Sequence, residues 1–215
     1  TMQTVALIDY GSGNLRSAQN ALERAAGAAP GGAKICVTAD PETVAAADRV
    51  VLPGVGAFAA CRAALMGRTG LVEAITAAVQ GRGVPFLGVC VGMQLLASRG
   101  LEFGETPGLD WIPGEVRRLT PASPTCKVPH MGWNSLDDIS PSGTALGLAP
   151  DAAMYFTHSF AFHPADPADV AAFTDHGGRF PAAVMRGNLA GVQFHPEKSQ
   201  SAGLSLLARF LEWRP

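Results

Sequence analysis

Charge is scarce in this 215-residue sequence, where Asp, Glu, Lys and Arg make up 16% of positions. Soluble domains typically carry about a quarter. Neither sign is in excess: 16 Lys and Arg stand against 18 Asp and Glu, a formal net charge of −2. Nucleic-acid binders ordinarily show a basic excess, so that class is set aside. Long apolar runs are missing too. The uncharged stretch from Gly83 to Ser98 is too short to span a membrane and is broken by Pro85, Gly88, Gly92 and Gln94. No basic segment precedes an apolar run near the N-terminus, so no secretory signal is expected. Cysteine is sparse: Cys36, Cys61, Cys90 and Cys126 are widely spaced and form no C-x-x-C pair. That argues against a zinc site or a disulfide framework and for a reduced, cytoplasmic protein with no metal.

What remains is an apolar chain, 47% hydrophobic, with 25 glycines. A chain this long buries about 70% of its unfolded surface, and residues 1–215 are expected to form a single domain. The first half alternates strand and helix patterns. Thr4–Ile8, Lys34–Thr38, Arg49–Leu52 and Val84–Val89 read as strands. Leu15, Ala18, Ala21, Leu22, Ala25 and Ala26 recur at helical spacing up to Gly27, and helices are expected near Phe58–Met66, Leu71–Val79 and Gly92–Ser98. Such alternation predicts an α/β fold, an open and mostly parallel twisted sheet with helices on both faces. The second half reads as added antiparallel strands at Trp111–Leu119, Met154–Phe160, Val170–Thr174, Ala182–Met185 and Leu189–Phe194. Arg186-Gly187-Asn188 looks like a hairpin turn, and Ser201–Trp213 like a last amphipathic helix.

Two segments carry chemistry. Gly88-Val89-Cys90-Val91-Gly92 joins a buried strand to a helix with no spare residues. This is the pattern of a nucleophile elbow with Cys in place of Ser. The turn holds the cysteine in a strained conformation, lifts its sulfur out of the sheet and sets it at a helix N-terminus, where N–H groups favour negative charge. The Val91 N–H is then placed to donate to an oxyanion. A free cysteine is ordinarily a small buried hydrophobe, and Cys36, Cys61 and Cys126 are read that way. The second segment is Gly191-Val192-Gln193-Phe194-His195-Pro196-Glu197-Lys198. His195 and Glu197 lie two apart, hence on one side of an extended chain. Glu197 can therefore fix the imidazole tautomer while the other nitrogen faces a nucleophile. Cysteine, histidine and carboxylate together make an acyl-transfer triad. A third segment, Leu52-Pro53-Gly54-Val55-Gly56-Ala57-Phe58, is a glycine-rich turn able to supply a second oxyanion N–H. Gly11-Ser12-Gly13 lacks the third glycine of a dinucleotide fingerprint and is read as a turn serving a partner face.

These segments, in this order, resemble the class I glutamine amidotransferases: a G-x-C-x-G elbow followed by Met93-Gln94, and a late His195-Pro196-Glu197. Asp9 to Leu15, Pro53 to Gly56, Lys127-Val128-Pro129-His130-Met131-Gly132-Trp133-Asn134, Tyr155 to Phe160 and Gly191 to Ser199 narrow the likeness, across nearly the whole chain. They resemble the glutaminase subunits of imidazole glycerol phosphate synthases. Val89 and Val91 stand where Ile and Leu are common in that family, and Phe160 where Tyr is.

The resemblance implies hydrolysis of L-glutamine to glutamate and ammonia by Cys90, His195 and Glu197, with no cofactor. It implies that Gly54, Val55, Gly56, Val91, Gln94, Ser159 and Phe160 hold the oxyanion and the α-amino acid end of the substrate. It also implies a heterodimer with a (β/α)8-barrel cyclase, which uses the ammonia to make imidazole glycerol phosphate and AICAR in histidine biosynthesis. Asn14, Met131, Trp133, Tyr155, His158 and Lys198 match positions near that partner. Met131 and Trp133 are equally readable as core residues. The flexible Gly-Val-Gly turn further suggests that the oxyanion peptide is turned the wrong way until partner and substrate bind. Two other readings compete: a free-standing γ-glutamyl or cysteine hydrolase, and a non-enzymatic subunit that keeps only the fold.

Overall fold

The computed structural model describes residues 2–215. Its strands are β1 (Gln3–Ile8), β2 (Ala33–Thr38), β3 (Arg49–Leu52), β4 (Phe86–Val89), β5 (Arg99–Gly100), β6 (Thr106–Pro107), β7 (Gly114–Arg118), β8 (His130–Ser135), β9 (Ala153–His158), β10 (Phe160–Pro164), β11 (Val170–Asp175), β12 (Arg179–Arg186) and β13 (Leu189–Val192). The α-helices are α1 (Leu15–Ala28), α2 (Pro41–Ala46), α3 (Phe58–Met66), α4 (Leu71–Thr76), α5 (Val91–Gln94), α6 (Pro141–Ala145) and α7 (Gln200–Glu212).

The central sheet has seven strands in the order β11-β12-β13-β4-β3-β1-β2. Its β2, β1, β3, β4 and β13 run parallel, while β12 and β11 are antiparallel additions. The expected α/β architecture is therefore present, down to the antiparallel strands from the C-terminal half. Strands β3, β4 and β13 are buried at every position, as strands covered on both faces must be. From β1 the chain crosses one way to β2 and then back past β1 to β3. With right-handed crossovers, that reversal sends α1 and α2 to opposite faces. Accordingly α1 packs with α7, and α2 packs with α4. A four-stranded sheet, β10-β7-β5-β6, and the β8–β9 ribbon flank the carboxyl ends of the central strands.

Several element bounds differ from the sequence reading, each for a local reason. Helix α1 runs through Gly27 to Ala28 because the following turn, at Gly31 and Gly32, supplies the positive φ. The segment expected as Leu71–Val79 is an α-helix to Thr76 that continues as a π-helical turn, Ala77–Gly81. The helix expected over Gly92–Ser98 stops at Gln94 because N–H groups of the segment 109–112 take the carbonyls of Leu95, Leu96 and Ala97. That same segment is consequently withheld from β7, which begins at Gly114 rather than Trp111. The stretch Met154–Phe160 divides at Ser159 into two strands. The Arg186–Asn188 turn is as expected, with Arg186 opposite Leu189.

The arrangement that matters for the site is the register of β4 beside β13. Val89 pairs with Val192, and the N–H of Cys90 donates to Val192 O at 2.8 Å. Two neighbouring parallel strands thus end level, one leading into Cys90 and the other into His195. The elbow closes because Gly88 and Gly92 lack side chains: a Cβ on Gly92 would sit 1.9 Å from Leu52 O, and one on Gly88 would sit 2.5 Å from Gly92 O. Both clashes are with backbone, which cannot move aside. Gly92→Ala is expected to destabilise the fold by about 3 kcal/mol, measurable by urea denaturation; a loss below about 1 kcal/mol would show that the elbow is looser than described.

Candidate active site

Cys90 has φ 55° and ψ −112°, outside the ordinary regions for a side-chain-bearing residue. The elbow imposes this, with Cys90 as the residue preceding helix α5. The thiol is 4% exposed and forms part of the wall of a cavity of about 430 Å³. Val55, Gly56, Val91, Gln94, Ser159, Phe160 and His195 line the same cavity, together with Glu102, Pro129, Thr157, His158 and Lys198. Six of the seven residues expected around the substrate are thus gathered over the sulfur. Gly54 is the exception. It lies beneath the cavity, wedged against the Tyr10 hydroxyl, Gly92 N and Val91, with no room for a Cβ.

His195 is fixed from both sides. Its N–H donates to Tyr155 O at 2.9 Å, and its carbonyl accepts from Ser199 Oγ at 2.6 Å. Its Nδ1 donates to Glu197 Oε1 at 2.7 Å, and both side chains are nearly buried, 2% and 5% exposed. With Nδ1 committed, Nε2 is the free nitrogen, buried and without a hydrogen-bond partner. An unpartnered buried nitrogen in a cavity is a group waiting for a proton donor or acceptor. Burial by itself would lower the imidazole pKa. The adjacent Cys90 sulfur and the Glu197 carboxylate outweigh it and raise the value to about 9. The Nε2–Sγ contact acts here by proximity and charge, since the N–H···S geometry is not that of a formed bond. Sulfur, imidazole and carboxylate are therefore brought together as the sequence pattern implied.

The oxyanion donors are both engaged within the protein, in keeping with the wrong-way peptide that the flexible turn suggested. The Val91 N–H donates to Gly54 O at 3.3 Å, and the Val55 N–H donates to Ser12 Oγ at 3.0 Å. Both expected donors are occupied: one is covered by the carbonyl of the Gly54–Val55 peptide, and the other is that peptide's own N–H, held by Ser12. The turn is held in this setting by Tyr10 Oη, which donates to Pro53 O at 2.6 Å, and by Ser12 Oγ and Cys61 Sγ on Val55 O at 3.0 and 3.2 Å. Tyr10 and Ser12 hence brace the oxyanion turn, a role that the sequence reading of Gly11-Ser12-Gly13 did not include. Cys61 is likewise no bystander; burial raises its pKa and keeps it a thiol donor.

Of the residues expected near a partner, Met131 and Trp133 are 64% and 50% exposed, so they are surface and not core. Trp133 packs edge-on to Tyr155 at 5.7 Å between ring centroids, and Lys198 Nζ lies 5.7 Å over the Tyr155 ring. Asn14 is half-buried and helps to line a small cavity behind His195 and Glu197. His158 departs from the surface role: it is 7% exposed, turned inward and bonded to His130 Nδ1 at 3.0 Å and Phe160 O at 2.8 Å. Sequence reading also passed over Gln193, Ser12 and Ser199. Gln193 carried a usable signal, being two residues before His195 in a segment read as extended and so on the same face, although β13 ends at Val192 and Gln193 lies just past it.

Comparison with known proteins agrees with this geometry. The family Glutamine amidotransferase class-I matches residues 7–213, and the chain belongs to that family. Within it the chain is closely related to imidazole glycerol phosphate synthase subunit HisH. It is 62% identical over 214 residues to that subunit of Caulobacter vibrioides, covering 100% of both chains. It is 58% identical to that of Rhodospirillum rubrum, covering 98% of this chain and 99% of the relative. Among solved structures, a glutamine amidotransferase superposes with TM-score 0.70 at 19% identity, covering 96% of this chain and 97% of the other. The structure of PurLQS from Thermotoga maritima superposes with TM-score 0.67 at 19% identity, covering 99% of each chain. These structural likenesses speak to the fold.

The raised His195 pKa has a signed consequence. Its stabilising interaction is complete below about pH 6.5, the unfolded value, and is lost as pH rises through about 9. The imidazolium needed to protonate a leaving group disappears over the same interval. Glu197→Gln should therefore lower the His195 pKa, by about one unit or more, and carry the basic limb of the pH–rate profile with it. Titration of the His195 ring protons by NMR checks this, and an unchanged His195 pKa in the variant would contradict it.

Proposed function

We propose that this chain is the glutaminase subunit of an imidazole glycerol phosphate synthase, which releases ammonia from L-glutamine for histidine biosynthesis. The observation that carries the reading is that Cys90 and a Glu197-bound His195 with one free nitrogen line the same cavity, close enough for the sulfur to act on the imidazole. The near full-length identity to synthase subunits supplies the biological setting.

The chemistry follows from the groups in place. Cys90 sulfur attacks the γ-carboxamide carbon of glutamine, with the imidazolium of His195 as counter-charge. The carbonyl oxygen becomes an oxyanion. His195 Nε2 then gives its proton to the amide nitrogen, the C–N bond breaks and ammonia leaves, with a γ-glutamyl thioester left on Cys90. Neutral His195 takes a proton from water, the hydroxide attacks the thioester carbon, and glutamate departs as the sulfur is released. The balance is glutamine plus water to glutamate plus ammonia.

The oxyanion step requires a conformational change. Rotating the Gly54–Val55 peptide would withdraw the Gly54 carbonyl from Val91 N–H and turn Val55 N–H toward the cavity. One rotation would supply two donors, each of which catalysis of this kind values at about 3 kcal/mol. Gly56, at φ +91°, sits next to the moving peptide and tolerates the change better than any other residue. In the conformation observed the chain has its triad but not its oxyanion hole, which fits a glutaminase that is slow until its partner docks.

The partner in this reading is a (β/α)8-barrel cyclase bound as a heterodimer. Met131, Trp133, Tyr155 and Lys198 form the apolar, singly charged surface it would cover, next to the strand that holds His195 through Tyr155 O. An exposed Trp packed against a half-buried Tyr is a common anchor of interfaces. A free-standing hydrolase would have no use for this surface and would need an assembled oxyanion hole.

Activity measured with and without a cyclase barrel tests the proposal. Wild type should release ammonia at least about tenfold faster with the cyclase and its ligand. Cys90→Ala should lose glutamine-dependent synthesis by at least about a thousandfold while synthesis from added ammonium salt persists. Equal ammonia release with and without the cyclase would favour the free-standing hydrolase, and glutamine-dependent synthesis by Cys90→Ala would end the proposal.

A further inference from the structure

The cavity wall behind the sulfur holds a row of buried polar side chains that the triad does not use: Gln193, Gln94, His158 and His130, at 0%, 3%, 7% and 3% exposure. They are joined. Gln193 Nε2 lies 3.6 Å from Cys90 Sγ. Gln94 Nε2 is 3.1 Å from Gln193 Oε1 and 3.1 Å from Phe160 O. His158 Nδ1 is 2.8 Å from the same carbonyl, and His158 Nε2 is 3.0 Å from His130 Nδ1. Asn134 Nδ2 ends the row, 3.3 Å from His130 Nε2 and 2.7 Å from Asp175 O.

One carbonyl sets the polarity of the whole row. Phe160 O can only accept. The Gln94 group facing it is therefore the NH2, and the second hydrogen of that NH2 goes to Gln193 Oε1. With its oxygen so engaged, Gln193 must turn its own NH2 toward Cys90. On the other side, His158 must carry its hydrogen on Nδ1, which leaves Nε2 to accept from His130 Nδ1–H, and His130 Nε2 to accept from Asn134. Every donor meets an acceptor, and each amide flip and each tautomer is fixed. Burial keeps both imidazoles neutral, as the row requires. It lowers His130 to about 4, with help from His176, and His158 to about 3.

We infer that Gln193 is a fourth catalytic residue of the glutaminase site: it donates an N–H to the Cys90 sulfur, holding it toward His195 and favouring its negative charge, and the Phe160-centred row keeps that N–H aimed. This rests on Cys90 being the nucleophile. A side chain in Gln193's place that lacked a donor would leave the sulfur with only the imidazole as polar support. A merely structural glutamine would satisfy its neighbours without needing its NH2 on a reacting atom. The other titratable groups about the sulfur are His195 backed by Glu197, Tyr10 and Cys61 behind the Pro53–Gly56 turn, and His158, Glu102 and Lys198 around the cavity. None of these is altered by substituting Gln193.

The test measures the rate of Cys90 alkylation by iodoacetamide against pH on the full chain, read at the Cys90 peptide by mass spectrometry. Gln193→Met keeps the volume and removes the donor. It should slow alkylation about tenfold near neutral pH, converge on wild type at high pH, and lower kcat with less than about a twofold change in KM. Superimposable alkylation profiles in a variant of unchanged melting temperature would overturn the inference. Should Gln193→Met not fold, Gln193→Glu serves instead. It still accepts from Gln94 but offers the sulfur a carboxylate, so neutral-pH alkylation should fall further. A rate equal to or above wild type would overturn the inference. Loss of glutamine-dependent synthesis in Cys90→Ala is a separate result, so failure here and failure of the glutaminase reading are distinguishable.

Discussion

The left-handed backbone at Cys90 sets the position of everything else in the site. A residue with φ 55° and ψ −112° does not arise from local preference; it is forced by a strand that must turn into a helix within one residue. Gly88 and Gly92 make that turn physically possible, since a side chain on either would collide with backbone. The β4–β13 register then matters because both strands end level. His195 arrives three residues past Val192 while Cys90 sits one residue past Val89, the pair that faces Val192. The catalytic geometry is thus a property of the central sheet, not of mobile loops.

The oxyanion turn is built differently. It hangs on side-chain hydrogen bonds from Tyr10, Ser12 and Cys61, each reversible, around a single peptide whose carbonyl covers one donor the reaction needs and whose N–H, the other donor, is held by Ser12. Rigid triad and switchable hole are separate devices. An amidotransferase gains from this separation, because ammonia made before an acceptor is present is lost to solvent. The site can stand complete in its nucleophile and base yet be held back by about one peptide's rotation.

Much of this was legible in the residues. The elbow glycines and the apolar strands of the first half each have one dominant cause, and each came out as expected; His195 and Glu197 meet as expected, but through a 3-10 turn, Pro196–Lys198, and not along an extended chain. The interior row was less legible. Gln193 alternates correctly for the His195 face, but nothing along the chain says that Gln94, from a different element, will take its oxygen and so aim its nitrogen. The inward turn of His158 was equally hidden: in a strand of alternating burial its side depends on register with His130, a pairing across the β8–β9 ribbon. The state of the oxyanion peptide depends on Ser12, over forty residues away in sequence from Val55. The early end of α5 depends on carbonyls claimed by the segment 109–112. Spacing encodes what lies within one element; what two elements do to each other becomes visible only when they are packed.

The central claim is that the elbow sulfur performs the chemistry beside His195 while the Gly54–Val55 peptide turns to receive the oxyanion. A crystal structure of the chain with the cyclase barrel proposed as its partner, treated with a glutamine analogue carrying an electrophilic γ-carbon, addresses it most directly. The account predicts a covalent bond from Cys90 Sγ, His195 Nε2 facing the adduct, and the adduct oxygen between the N–H groups of Val91 and Val55, with Ser12 Oγ released from Val55 N–H. An adduct on another thiol, or one on Cys90 with Gly54 O still bonded to Val91 N–H, would contradict it.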